Sequence, residues 1–142
     1  MEFRNAVAGA LPAVVKLLAD DELGAMRERD EDPLPQEYRD ALAVMERQGA
    51  NSVILAIDNG EVIGCLQLAF IPGLARLGMT RAQIEGVRVD RRYRSRGVGE
   101  ALFHHAIERA RGDAHRFDER LGFETSHLSM KLDLTKGAKT TM

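Results

Sequence analysis

Residues Arg94-Ser95-Arg96-Gly97-Val98-Gly99 combine the two things a phosphate needs from a protein. Arginine brings permanent charge and forked N–H donors. Glycine lets an anion approach the backbone with no Cβ in the way. A helical pattern then begins. Val98, Leu102, Ala106 and Ala110 recur at i, i+4, and Ala101, Phe103 and Ile107 widen the apolar face. The first turn of a helix has unpaired N–H groups and the positive end of the macrodipole. Residues 94–100, from Arg94 to Glu100, therefore read as an anion cradle. Just upstream, residues 83–89 alternate, Ile84 and Gly86 against Val87 and Val89, as a strand in a covered sheet does. That strand carries Glu85, whose carboxylate can take a proton from an attacking amine, directly or through water. The plain alternative for Glu85 is an exposed or ion-paired sheet carboxylate.

A glycine pair at a strand-to-helix turn often serves backbone geometry alone. The full stretch is more specific. It has neither the third glycine of a dinucleotide fingerprint nor the Gly-Lys-Ser/Thr of a P-loop. It resembles the arginine-or-glutamine, x, x, glycine, x, glycine-or-alanine signature of the GNAT acyl-CoA N-acyltransferases. As in that family, it lies between a strand and the longest helix. The resemblance implies an α/β fold with a mixed sheet and flanking helices, and acetyl-CoA as cosubstrate. It implies that amides of Arg94, Ser95, Arg96, Gly97, Val98, Gly99 and Glu100 hold the pyrophosphate. It also sets Val87, Arg88 and Val89 against the cofactor, with backbone groups of Val87 and Val89 paired to the pantetheine arm. A backbone donor around Val87 suits the oxyanion that develops at the thioester carbonyl.

Periodicity predicts the elements around these residues. Residues 1–7 suit a short edge strand with Phe3 inward. Pro12 falls where a first helical turn tolerates it, with Ala13, Val14, Leu17 and Leu18 as an apolar face ended by Asp20-Asp21-Glu22 and Gly24. Residues 25–35 are charged and closed by Pro33 and Pro35, which reads as a loop. In the resembled family a loop here helps wall the acceptor site. Residues 36–48 place Tyr38, Ala41, Leu42 and Met45 at helical spacing, with Gly49 as a stop. Residues 52–57 and 62–70 form a hairpin around Asp58-Asn59-Gly60-Glu61, because Asn-Gly suits a type I′ turn. Cys65, in the return strand, reads as a small core side chain. Pro72-Gly73 opens a second loop to about Met79, in which Leu74 and Leu77 either pack down or line an opening.

Past the central helix the family order breaks. Ala110-Arg111-Gly112 runs directly into Asp113-Ala114-His115-Arg116-Phe117, which already resembles the family's later helix. Gly122-Phe123 resembles the pair at that helix's end, and residues 129–134 read as the last strand. The family strand between the two helices is missing, and one glycine cannot supply it and its connections. The strand at 83–89 then lacks a neighbour, and a homodimer by exchange of residues 113–134 is expected, or else one continuous helix through 110–112. Where many relatives place a tyrosine that protonates the departing thiolate, this chain has Asp118. An ordinary aspartate is ionised near neutrality and cannot donate there.

Composition bounds the alternatives. The chain has 142 residues, 44% apolar, with net charge −2, as expected of one globular domain over 1–142 with a polar tail at 135–142. Near-neutral charge argues against nucleic-acid binding as the main task. Single Cys65 excludes an internal disulfide framework and a cysteine zinc site. His104 and His105 project about 100° apart on a helix, poor geometry for one metal, and no metal is expected. No stretch approaches the roughly 20 apolar residues that span a bilayer, and the N-terminus lacks a signal-like apolar segment, so a cytoplasmic protein without membrane partners is expected. Three readings remain. The first is an acetyltransferase acting on a primary amine of a small molecule or peptide. The second is a CoA-binding module without efficient turnover. The third is a phosphate or nucleic-acid binder using only the arginines.

Overall fold

The computed structural model describes residues 1–117, 131–133 and 139–141. Strands β1 (Glu2–Asn5), β2 (Asn51–Asp58), β3 (Glu61–Pro72) and β4 (Thr80–Val89) form one sheet in that spatial order. Helices α1 (Leu11–Leu18), α2 (Glu22–Arg27) and α3 (Gln36–Gln48) connect β1 to β2. A single turn, α4 (Ala75–Gly78), joins β3 to β4, and α5 (Val98–Phe117) follows β4. Two short strands, β5 (Lys131–Asp133) and β6 (Lys139–Thr141), pair with each other, so part of the segment read as a polar tail is strand. The expected α/β class with flanking helices is present. The described strand pairs are all antiparallel, and β4 carries no strand on its outer edge among the described residues. No described helix is long and apolar enough to cross a membrane.

Local sequence explains most boundaries. Asn59 and Gly60 have φ of 51° and 76°, the left-handed pair that a two-residue hairpin needs. Gly49 ends α3 at φ 71°, and its amide donates to the Met45 carbonyl. Sequence reading missed α2. Asp21 does not merely end α1 but caps the next helix, its carboxylate accepting from the Gly24 amide. The 25–35 loop accordingly begins only after Arg27. Tyr38 anchors it, donating to Glu28 at 2.8 Å and accepting from the Arg29 amide at 3.0 Å. At the other loop, Leu74 and Leu77 do not pack down: they are 96% and 89% exposed.

The sheet has an apolar layer on each face. On one side Val98, Leu102, Ala106 and Ala110 of α5 are buried at the expected i, i+4 spacing. The first three pack with Ile54, Ile63, Leu66 and Leu68, and Phe3 joins from the edge strand. Phe103 departs from the expected face and is 40% exposed, because it lies one residue beyond the buried stripe. On the other side Val14 and Leu17 of α1 pack on Leu55, Ile57 and Cys65. The opposite flank of α1, Leu11 and Val15, meets Leu34 and Leu42. Cys65 is a core side chain as expected, and burial pushes its thiol up to about 11, although the charge of Arg88 pulls the other way.

One close approach seats α5. A Cβ on Gly64 would lie 3.0 Å from Leu102 Cδ1, 3.1 Å from the Arg88 carbonyl oxygen and 3.4 Å from Val98 Cγ1. Leu102 can rotate away, but the carbonyl is backbone and cannot. Gly64→Val should therefore cost about 1–3 kcal/mol by overpacking. Gly9→Ala, at a position with nothing within 4 Å of the added carbon, should stay within about 0.5 kcal/mol. Urea unfolding of the two variants checks this, and equal midpoints would remove Gly64 from its role.

Candidate functional site

The strand that carries the candidate base is not a simple alternation. Glu85 lies opposite Gln67, Arg88 opposite Cys65 and Val89 opposite Gly64, so Gly86 and Val87 share the single place opposite Leu66. This is a β-bulge, with Gly86 at φ 63°. The bulge resets the faces. Ile84 and Val89, five apart, both pack on the α5 side. Glu85 and Arg88, three apart, stand on the opposite face with Gln67 and Cys65. The expected opposition of Ile84 to Val89 is therefore corrected. The signal was present in the sequence as two apolar residues out of step across a glycine.

Downstream, Asp90 caps a 3-10 turn at Arg91–Tyr93, accepting from the Arg92 amide at 2.9 Å. Ser95 and Gly97 are both left-handed, at φ 63° and 79°, with one residue between them. Successive amides in such alternating turns form anion-binding concavities. The first bond into α5 is from the Ala101 amide to the Gly97 carbonyl at 3.0 Å. Among the described residues, the amides of Ser95, Arg96, Gly97, Val98, Gly99 and Glu100 donate no short, well-aligned backbone hydrogen bond. The site where a Cβ would stand on Gly97 has nothing within 4 Å, whereas Gly99 faces back to Val89 Cγ2 at 3.6 Å. Unpaired donors, open space and a helix N-terminus fit the phosphates of CoA.

The arginines are less available than the sequence suggests. Arg91 Nε donates to Asp20 at 3.1 Å. Arg92 binds Asp90 and Glu61, whose hydrogen bonds hold its guanidinium charged and, in return, hold the Asp90 carboxyl below its usual range. Arg94 Nη2 lies 3.6 Å from Asp20 Oδ2, and its Nε donates to the Val89 carbonyl at 3.4 Å. Arg96 stacks over the Tyr93 ring at 5.6 Å and pairs with no carboxylate among the described residues. It is the cation best placed to meet a phosphate.

Glu85 is exposed, and its carboxylate has no hydrogen bond or ion pair among the described residues. Arg88 turns to the α1 side. Its Nη2 lies 3.5 Å from Asp21 Oδ2, its Nη1 donates to the Val87 carbonyl at 3.0 Å, and its buried Nε has no partner among the described residues. The carbonyls of Val87 and Val89 thus each take one guanidinium bond and keep a second lone pair. Asp118, Gly122 and Phe123 lie outside the described residues. His104 sits 3.7 Å from Glu100, and His105 stacks on Phe3 at 4.6 Å. Burial, then the charge of Arg109, lowers the His105 pKa below the ordinary histidine value, with Glu108 pulling the other way. No three metal-binding side chains cluster among the described residues. A shallow groove of about 430 Å³ runs beside Phe3, Gly97, Glu100 and His104, and no residue of β4 lines it.

Comparison with known proteins accounts for this arrangement. No curated protein sequence matches the chain. The crystal structure of a transcriptional regulator from Bacillus halodurans C-125 matches with TM-score 0.78 and 40% identity, over 94% of this chain and 99% of that one. An acetyltransferase from Trypanosoma brucei matches with TM-score 0.66 and 24% identity, over 94% and 99%. A predicted acetyltransferase from Clostridium acetobutylicum, solved with acetyl-CoA, matches with TM-score 0.66 and 14% identity, over 95% and 97%. These last two show the fold. The model of the acetyltransferase (GNAT) family matches residues 12–128, and the chain belongs to that family.

Proposed function

We propose that this protein transfers an acetyl group from acetyl-CoA to a primary amine of a small molecule or peptide. The observation that carries this reading is the row of amides from Ser95 to Glu100, at the start of α5, that make no short, well-aligned backbone bond among the described residues. When bound there, acetyl-CoA supplies an activated thioester. The residues of the chain then have three tasks. The cradle amides and Arg96 hold the phosphates at the positive end of α5. Val87 and Val89 offer backbone groups to the pantetheine arm, as a strand edge does to an added strand. Glu85 takes a proton from the attacking nitrogen as that nitrogen bonds to the acyl carbon and the carbon–sulfur bond breaks. An amine attacks only as the free base, and an unperturbed lysine-like amine has pKa about 10.4, so a base has work to do near neutrality. The leaving sulfur needs a proton in return, and ionised Asp118 is a poor donor. This favours a slow enzyme, or the CoA-binding module as the second reading. The description of the Bacillus relative as a transcriptional regulator favours a nucleic-acid role. Against that stand Arg91, Arg92 and Arg94, which are engaged by Asp20, Asp90 and Glu61.

CoA should bind more tightly than pantetheine, which lacks the phosphates. Gly97→Val should weaken CoA about tenfold or more, because a side chain at φ 79° is strained and would enter the open approach. Calorimetry giving equal affinities for CoA and pantetheine would sink the cradle. Salt-dependent DNA binding without CoA affinity would support the nucleic-acid reading instead.

Turnover separates the enzyme from the binding module. Glu85→Gln should lower the rate about 10²-fold or more, most strongly below the amine's own pKa. Asp118→Tyr should raise it. Neither change should move CoA affinity much. Thiol release against a panel of amines is the assay, and an unchanged rate in the glutamine variant removes Glu85 from its role. Silence in both proteins, with CoA still bound, leaves the binding module.

Oligomeric state is the third consequence of the reading. α5 runs unbroken through Ala110-Arg111-Gly112 to Phe117, the continuous helix expected as the alternative, and a homodimer by exchange of residues 113–134 remains a proposal that the mass in solution decides. Light scattering should give twice the chain mass of 15.7 kDa, and a flexible insertion after Arg111 should shift it to monomer. A compact monomer at micromolar concentration refutes the exchange.

A further inference from the structure

Asp20, just past α1, and Arg91, just before the cradle, are 71 residues apart in sequence and meet through charge. Two guanidinium groups converge on one oxygen, Asp20 Oδ2. The two contacts differ in kind. Arg91 makes a hydrogen bond to that oxygen at 3.1 Å and a second to the Asp20 backbone carbonyl at 3.3 Å. Arg94, at 3.6 Å, is beyond hydrogen-bonding range of that oxygen, which attracts it by charge alone, while its Nε donates to the Val89 carbonyl at 3.4 Å. Its side chain is 54% exposed, and attraction of that kind is weak and screened by salt. Arg94 also immediately precedes Ser95, the first of the amides without a well-aligned backbone acceptor among the described residues.

We propose that Asp20 sets the cofactor affinity of the cradle. Its carboxylate occupies Arg94 in the free protein, and an entering pyrophosphate takes Arg94 over while Arg91 keeps the α1–α2 turn in place. The inference rests on the cradle being the site for the phosphates of CoA. A phosphate oxygen at the amides next to Arg94 can offer it a short charge-assisted bond in place of a 3.6 Å contact. Asp20 is therefore an internal competitor of the ligand, an affinity-setting residue that touches neither the acyl group nor the amine.

Asp20→Asn tests this because it removes the charge while keeping an oxygen for Arg91. Calorimetry with CoA, inorganic pyrophosphate and pantetheine, at low salt and at about 0.5 M, gives the readout. The variant should bind CoA and pyrophosphate about two- to fivefold more tightly at low salt, which is the scale of an exposed ion pair. Pantetheine affinity should not change, and the gain should shrink at high salt. In an Arg94→Gln background the gain should vanish, since a double-mutant cycle isolates the pair. Unchanged or weaker CoA binding by the asparagine variant overturns the proposal, as does a gain that survives loss of Arg94. Wild-type protein that binds pyrophosphate but not CoA defeats the acetyltransferase reading alone, and Asp20 is then judged on pyrophosphate. Failure to bind either ligand removes both.

Discussion

How closely α5 can lie on β3 decides where the first turn of that helix sits. Gly64 leaves the gap that Leu102 and Val98 enter, and Leu102, Ala106 and Ala110 have no exposed surface. The same contact involves the Arg88 carbonyl on β4, so helix, β3 and β4 are fitted together at one point. A helix N-terminus binds an anion only if its amides stay put and stay unpaired. Tight packing of the stripe behind them keeps the first turn in place, and left-handed Ser95 and Gly97 turn the chain without using up its donors. Stability and binding are thus one design here. The residues that hold the site never touch a ligand.

The bulge on β4 does for the acceptor side what Gly64 does for the donor side. Had the strand alternated without interruption, Glu85 and Arg88 would stand on opposite faces. One extra residue at Gly86-Val87 brings both to the face shared with Cys65 and Gln67, while Ile84 and Val89 still feed the core under α5. Arg88 then reaches Asp21, the cap of α2, and links the sheet to the helices on that face. Glu85, by contrast, has no partner among the described residues, which suits the base proposed above.

Much of this was legible in the sequence, for identifiable reasons. The stripe Val98, Leu102, Ala106, Ala110 has a strict period, and Asn59-Gly60 can form few turns other than the one observed. The GNAT signature at residues 94–99 was visible because glycine and arginine are uncommon enough together to be specific. Other features depend on pairing that no single stretch encodes. The bulge shows only when β4 is laid against β3. The cap at Asp21 was hidden because three acids in a row read equally well as a helix end or a helix start. The arginines misled most. Their charge is plain in the sequence, but of the partners Asp20, Asp90 and Glu61, which engage Arg91, Arg92 and Arg94, Asp20 lies 71 positions from Arg91 and farther still from Arg94.

That pairing bears on selectivity. A cradle of four free arginines would attract any polyanion, with affinity set by charge and lost in salt. Here three of the four have carboxylate neighbours, so the surface is close to neutral and offers little to a passing nucleic acid. What is left available among the described residues is directional: backbone amides over six residues and the N–H edge of Arg96, whose face lies on Tyr93. Amides reward a ligand whose oxygens fit their spacing, and they cannot slide along a phosphate chain as loose lysines can. A compact diphosphate on a flexible arm would suit such a site, with the arm proposed to run along Val87 and Val89 toward Glu85. Geometry, more than net charge, points the cradle at a small acyl carrier.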